Sequence, residues 1–92
     1  MLTFEWEPEK ASENEAKHGV SFEEALTCFS DAGSLTIYDL DHSASEDRYV
    51  LLGMSARGRL LVVVHTDRHD NIRLITARPA NRRELEQYSK AH

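Results

Sequence analysis

In RYVLLGMSARGRLLVVVHTDRHDNIRLITARP, residues 48–79, three runs rich in aliphatic and β-branched residues are divided by two short polar turns. The runs, about 47–55, 59–67 and 72–78, have strand length, and Ala56-Arg57-Gly58 and His69-Asp70-Asn71 have hairpin length. Pro79, unable to donate to a ladder, closes the last run. The spacing predicts an antiparallel meander. Three-residue turns would set Arg48 opposite Thr66, Tyr49 opposite His65, Val62 opposite Arg78 and Asp67 opposite Arg73. One face then carries Glu46, Arg48, Arg68 and Arg78, and the other carries Asp67 and Arg73. Both faces have an apolar centre, so both need cover.

Working outward, residues 35–40 read as a fourth strand beside the meander. Leu2, Phe4 and Trp6 alternate with Thr3, Glu5 and Glu7, the pattern of a short strand with one buried side. Pro8 and Glu9 suit the start of a helix over 8–18, with Lys17 and His18 in its last turn and Gly19 as its cap. Ser21-Phe22-Glu23-Glu24 is a capping-box signature, and Phe22, Ala25, Leu26 and Phe29 form one apolar stripe. Asn81 and Glu84 repeat the capping pattern before a terminal helix whose inward residues are expected to be Leu85 and Tyr88. The order is β-α-α-β-β-β-β-α, a two-layer α+β fold with an antiparallel sheet packed on helices.

The chain has 92 residues, 40% hydrophobic and 29% charged, which fits one small domain with one core. Its longest apolar run, Leu60–Val64, is far short of a membrane span, and the first residues carry no signal-peptide pattern. A cytoplasmic location is the expectation. The single cysteine, Cys28, excludes an internal disulfide and a cysteine-based zinc site. No histidine spacing marks a metal site, so no metal and no cofactor are expected.

The net charge of −5 is unevenly distributed. Residues 1–46 hold two bases, Lys10 and Lys17, against eleven acids; residues 47–92 hold nine bases, eight of them arginine, against five acids. Arginine's planar donor fork suits phosphate and carboxylate alike. The pattern therefore fits an anion-binding face, and equally a surface network in which arginines pair with the acids of the first half. Arg78, with only Val62 across from it, stands out as an arginine without an acid in the sheet.

Lys17-His18-Gly19-Val20-Ser21-Phe22-Glu23-Glu24-Ala25 closely resembles a signature of the BrnT toxins. Three later segments agree in order and spacing: Asp39 through Asp41-His42-Ser43 to Glu46-Asp47-Arg48; Gly53-Met54-Ser55 with Gly58-Arg59; and Arg73-Leu74-Ile75-Thr76-Ala77-Arg78 followed by Glu84 and Tyr88. The likeness spans essentially the whole chain, as one BrnT-like toxin domain over 1–92 with a RelE-like fold. It departs at Glu7, where the family often has aspartate or asparagine, and at Thr76, where it often has serine. The resemblance implies the toxin of a type II toxin–antitoxin pair, a metal-independent ribonuclease that halts translation. It also implies a BrnA-like antitoxin as partner in a heterotetramer, with operator DNA reached only through that antitoxin.

Cutting RNA without a metal needs a group to take the 2′-OH proton, cations on the phosphate and an acid for the leaving oxygen. On that basis Arg48, Arg73 and Arg78 are the expected phosphate holders, with His18 or Glu46 as proton-transfer group and Tyr88 positioning it. Lys17, Arg68, Arg82 and Arg83 are the expected RNA contacts. The plainer roles are a helix cap for His18, core packing for Tyr88 and ion pairs for the arginines. A non-catalytic co-repressor of a small ribbon-helix-helix DNA-binding protein is the alternative function.

Overall fold

A computed structural model of the chain describes residues 2–44 and 46–92. In order, the elements are β1 (Thr3–Glu5), α1 (Pro8–His18), α2 (Phe22–Leu26), β2 (Leu35–Tyr38), β3 (Arg48–Met54), β4 (Leu60–Arg68), β5 (Asn71–Pro79) and α3 (Arg82–Lys90). Single 3-10 turns follow α2 and β2, at Thr27–Ser30 and Leu40–His42. The α+β class and the element order are those expected.

The sheet runs β1-β5-β4-β3-β2. Strands β2 to β5 form the antiparallel meander, but β1 lies parallel to β5, with Thr3, Phe4 and Glu5 beside Asn71, Ile72 and Arg73. The sheet is therefore mixed, not wholly antiparallel. A three-residue strand has too short a pattern to announce so distant a partner.

Local chemistry accounts for the helix ends. Gly19 adopts φ 68°, and its N–H donates to the Glu15 carbonyl, ending α1 in the left-handed cap that glycine tolerates best. Ser21 Oγ accepts from the Glu24 N–H, yet Glu24 does not reach back, because its carboxylate accepts from Ser55 and Arg59. Half a capping box forms at α2. At α3 both halves form between Asn81 and Glu84.

The core lies between α1–α2 and one face of the sheet. Val20, Phe22, Ala25 and Cys28 pack on Leu51, Leu61, Val63, Ile72, Leu74 and Ala77. Each large side chain so buried contributes about 1.5–3 kcal/mol. Burial and the nearby Glu24 and Asp31 carboxylates push the Cys28 thiol up to about 12. The one buried residue of α1 is polar: Asn14 Nδ2 donates to the carbonyls of Ala77 and Val20, and its Oδ1 accepts from the Ala77 N–H. A side-chain amide thus pairs with β5 beyond the point where β1 stops.

The second face is only half covered. No residue of α3 is buried, and Leu85, expected to face inward, is 49% exposed. Beneath the helix an apolar groove of about 260 Å³ runs over Leu35, Ile37, Val50, Leu52 and Val62.

Register decides which side chains share that face. Between β3 and β4 it is as the turn dictates, with Arg48 opposite Thr66 and Tyr49 opposite His65. Between β4 and β5 it begins as expected, Val62 opposite Arg78 and Val64 opposite Thr76, then shifts at Val64/His65. Beyond the shift His65 faces Leu74, Thr66 faces Arg73 and Asp67 faces Ile72. The cause is the turn. Arg68 pairs directly with Asn71, leaving a two-residue loop in which His69 takes φ 59°, the positive value such hairpins require. The irregularity at Ile75 absorbs the extra residue. Arg73 consequently lies on the face of Arg48, not on the opposite one, and it is not paired with Asp67.

Candidate functional site

The shifted register lines up Arg48, Thr66 and Arg73 as one row across β3, β4 and β5. Arg48 and Arg73 open with Glu7, Lys10, Glu46, Leu74 and Ile75 onto a recess of about 70 Å³. Arg73 donates to Glu7 at 2.7 Å, and Arg68 on the rim donates to Glu46 at 3.2 Å. Among the described residues Arg48 and Lys10 have no acidic partner. Two guanidinium groups, an ammonium and two carboxylates thus converge on one small polar site.

A second groove adjoins the first. Lys10, Glu13, Asn14, Lys17, His18, Ile75 and Thr76 line about 240 Å³, and Lys10 and Ile75 border both spaces. His18 and Lys17 therefore lie beside the arginine recess, not inside it. Lys10 and Lys17 are seven residues apart on α1, two turns of one helix side, so a cationic track continues from the recess along the helix.

Other expected site residues stand elsewhere. Arg78 is not unpartnered: it donates twice to Glu84, at 2.9 and 2.7 Å, and this pair holds the Glu84 carboxyl below its ordinary range. The acid came from α3, and no cross-strand register could show it. Tyr88 donates to Asp31 Oδ2 at 2.6 Å, and Asp31 also accepts from the N–H groups of Met54 and Gly33. Those three hydrogen bonds depress the Asp31 carboxyl, while the bond to Asp31 raises the Tyr88 phenol. Met54 is at the far end of β3 from Arg48, about 20 Å away at strand rise. Arg78 and Tyr88 fasten the two ends of α3, and Arg82 and Arg83 are exposed on its first turn.

Glu24, His42 and His65 have structural partners. Buried Glu24 accepts from Arg59 and Ser55, and these partners lower its carboxyl in spite of burial. His42 meets Asp39 at 3.0 Å. His65 is buried between Phe29 and Tyr49, which pushes its imidazole down against the upward pull of Asp67. Among the described residues no group of three or more histidine, cysteine or acidic side chains is gathered to hold a metal ion.

Residues 6–84 match the family model of the ribonuclease toxin BrnT of type II toxin–antitoxin systems. The chain belongs to the BrnT family. Its fold is similar to that of the crystal structure of the Brucella abortus ribonuclease toxin BrnT, with a TM-score of 0.60 and 19% sequence identity. That match covers 89% of this chain and 100% of the other. None of the curated proteins matches by sequence.

Membership in a BrnT family of type II systems carries an antitoxin protein as partner. Among the described residues no helix is long and apolar enough to cross a membrane. In this BrnT chain three residues at the arginine row had no site role in the sequence reading: Glu7, Lys10 and Thr66. Lys10 carried a usable signal, being one of only two bases in the acidic half and in helical phase with the other. Thr66 was legible beside Arg48 but not beside Arg73, which needs the shifted register, and the place of Glu7 depends on the β1–β5 pairing.

Proposed function

We propose that this BrnT chain is an endoribonuclease that cleaves RNA without a metal ion, with the scissile phosphate held between Arg48 and Arg73. The observation that carries this reading is the convergence of both arginines and Glu46 on one recess. Each guanidinium offers paired donors to the non-bridging oxygens, and the charge on them grows as the 2′-oxygen attacks. Glu46 takes the 2′-OH proton while the new O2′–P bond forms. The P–O5′ bond breaks, and the leaving oxygen takes a proton from water in the adjoining groove, where His18 resupplies it. The products are a 2′,3′-cyclic phosphate and a 5′-hydroxyl. Lys10 and Lys17 along α1, with Arg68 on the rim and Arg82 and Arg83 on α3, contact flanking phosphates and set the salt dependence. Arg78 and Tyr88 act through α3, which they fasten, and not on the phosphate.

The activity halts translation in the cytoplasm until a BrnA-like antitoxin binds, in an assembly with two copies of each chain. Operator DNA is reached through the antitoxin. A protein partner suits the half-covered sheet face, where Ile37 on the edge strand β2 is 65% exposed and Leu40 beyond it 82%.

The test is RNA cleavage by the purified chain, alone and in a translation extract, each with and without EDTA. Wild type should cut in at least one setting, and any cleavage of free RNA by the purified chain should survive EDTA. Arg48→Ala and Arg73→Ala should each lose about 10²–10³-fold, the usual cost of one transition-state donor. Cleavage of ribosome-free RNA abolished by EDTA, or cleavage undiminished in both variants, overturns the reading. A chain that neither cuts RNA nor blocks translation is the non-catalytic partner.

A further inference from the structure

Two buried side-chain atoms lack a hydrogen-bond partner among the described residues, His65 Nε2 and Thr66 Oγ1. The first lies on the core side of the sheet, in an aromatic stack of His65 with Phe29 and Tyr49 and on the face away from the arginines. The second lies on the arginines' own face. Thr66 is 1% exposed, and its hydroxyl has no acceptor and no donor. A shielded hydroxyl without a partner is costly, and valine would fill the same volume without that cost. Its location is specific: Thr66 is the middle residue of the row whose ends are Arg48 and Arg73, so its side chain stands on their face, beneath the recess and not on its present lining.

Resting on the phosphate site proposed above, we infer that the Thr66 hydroxyl is a third phosphate ligand, donating a hydrogen bond to a non-bridging oxygen held between Arg48 and Arg73. The donors of the two arginines approach such a group from either side, and a hydroxyl beneath them meets the oxygen the forks leave open. In the free protein Arg73 is turned to Glu7, and Thr66 is left without a partner. When phosphate draws Arg73 from Glu7, the recess deepens to the covered hydroxyl, which then gains its acceptor. The orphaned donor is thus the unliganded form of a three-point anion cradle, assembled by the same register shift that brings Arg73 across.

The experiment compares wild type, Thr66→Val, Thr66→Ser and Arg48→Ala in a translation extract, where free and ribosome-bound RNA are both available, and measures the melting temperature of each. Thr66→Val should melt no lower than wild type yet cut about 10- to 100-fold more slowly, the equivalent of one charge-assisted hydrogen bond. Thr66→Ser keeps the donor and should stay within about threefold of wild type, a difference worth well under one such bond. Inorganic phosphate, added as a competitor, should inhibit wild type more strongly than Thr66→Val. Thr66→Val cutting at the wild-type rate while Arg48→Ala is inactive overturns the Thr66 assignment and leaves the arginine site standing. A loss that tracks a lowered melting temperature and is not restored by serine overturns it too, in favour of a packing role. If Arg48→Ala is fully active, the arginine site itself falls and the assignment with it.

Discussion

Arg78 and Glu84 join β5 to α3 by two parallel hydrogen bonds, Nη1 to Oε1 and Nη2 to Oε2. The same carboxylate accepts from the Asn81 N–H, so one side chain both closes the helix cap and ties the helix to the sheet. With no buried residue of its own, α3 depends on this pair and on the Tyr88–Asp31 bond at its other end.

Arg78→Ala should therefore act on stability more than on chemistry. Arg78 is 40% exposed, and solvent screening limits the pair to about 1 kcal/mol, which in a domain of this size lowers the melting point by about 4–8 °C. RNA cleavage at a permissive temperature should fall by less than about tenfold, against the 10²–10³-fold expected for a transition-state donor. Thermal melts and cleavage rates on the same preparations separate the two. A folded Arg78→Ala protein as inactive as Arg48→Ala would return Arg78 to the phosphate site.

What the sequence made legible was local. The glycine cap of α1, the Asn81–Glu84 box and the three-residue turn at 56–58 are each written in neighbouring residues, and all three form as read. The β4–β5 register was not legible, because Ile72, Leu74 and Ile75 are all apolar and either phase buries something. Only the turn geometry at His69 chooses between them. With that register went Arg73, and with β1's parallel pairing went Glu7. The recess is built from contacts distant in the chain, whereas its ingredients, arginines after an acidic first half, were plain in the composition.

Asn14 tests the edge of the sheet. Its three hydrogen bonds are the side-chain supply for both backbone groups of Ala77 and for the Val20 carbonyl, all buried. Asn14→Ala leaves a buried N–H without a partner and should cost about 3 kcal/mol, a large share of the 5–15 kcal/mol typical of whole domains. Asn14→Asp should also destabilise, since it keeps the acceptor but replaces the amide donor with a charge. Urea titrations measure both. A cost below about 1 kcal/mol for Asn14→Ala would mean that water replaces the amide at this edge.

His65 should give the protein a mild acid sensitivity. Burial lowers its imidazole below the ordinary value near 6.5, while Asp67 pulls the other way; Tyr49 and Phe29 cover the ring. Above the ordinary value both folded and unfolded chains carry the neutral form, and nothing is lost. As pH falls through it, the unfolded chain takes up a proton that the folded chain resists, so stability declines until the folded group also protonates. The slope is limited to about 1.4 kcal/mol per pH unit for one such group. Denaturant midpoints between pH 8 and pH 5 should fall for wild type and stay flatter for His65→Phe. Parallel curves for the two proteins would assign the acid sensitivity to other groups.

Glu7 holds Arg73 in the free protein, and a phosphate entering the recess has to compete with it. Glu7→Gln removes the charge while keeping an oxygen acceptor at a 52% exposed position, so folding should change by no more than about 1 kcal/mol. RNA affinity should rise by about threefold at low salt, as one repulsive carboxylate leaves the site, and the gain should shrink toward physiological ionic strength as screening takes over. Fluorescence anisotropy with a labelled single-stranded RNA, repeated across a salt series, reads the effect directly. Tighter binding with cleavage retained marks Glu7 as a guard on Arg73. Unchanged binding with cleavage lost marks it instead as the group that takes the 2′-OH proton, and moves that role from Glu46 to the other carboxylate of the recess.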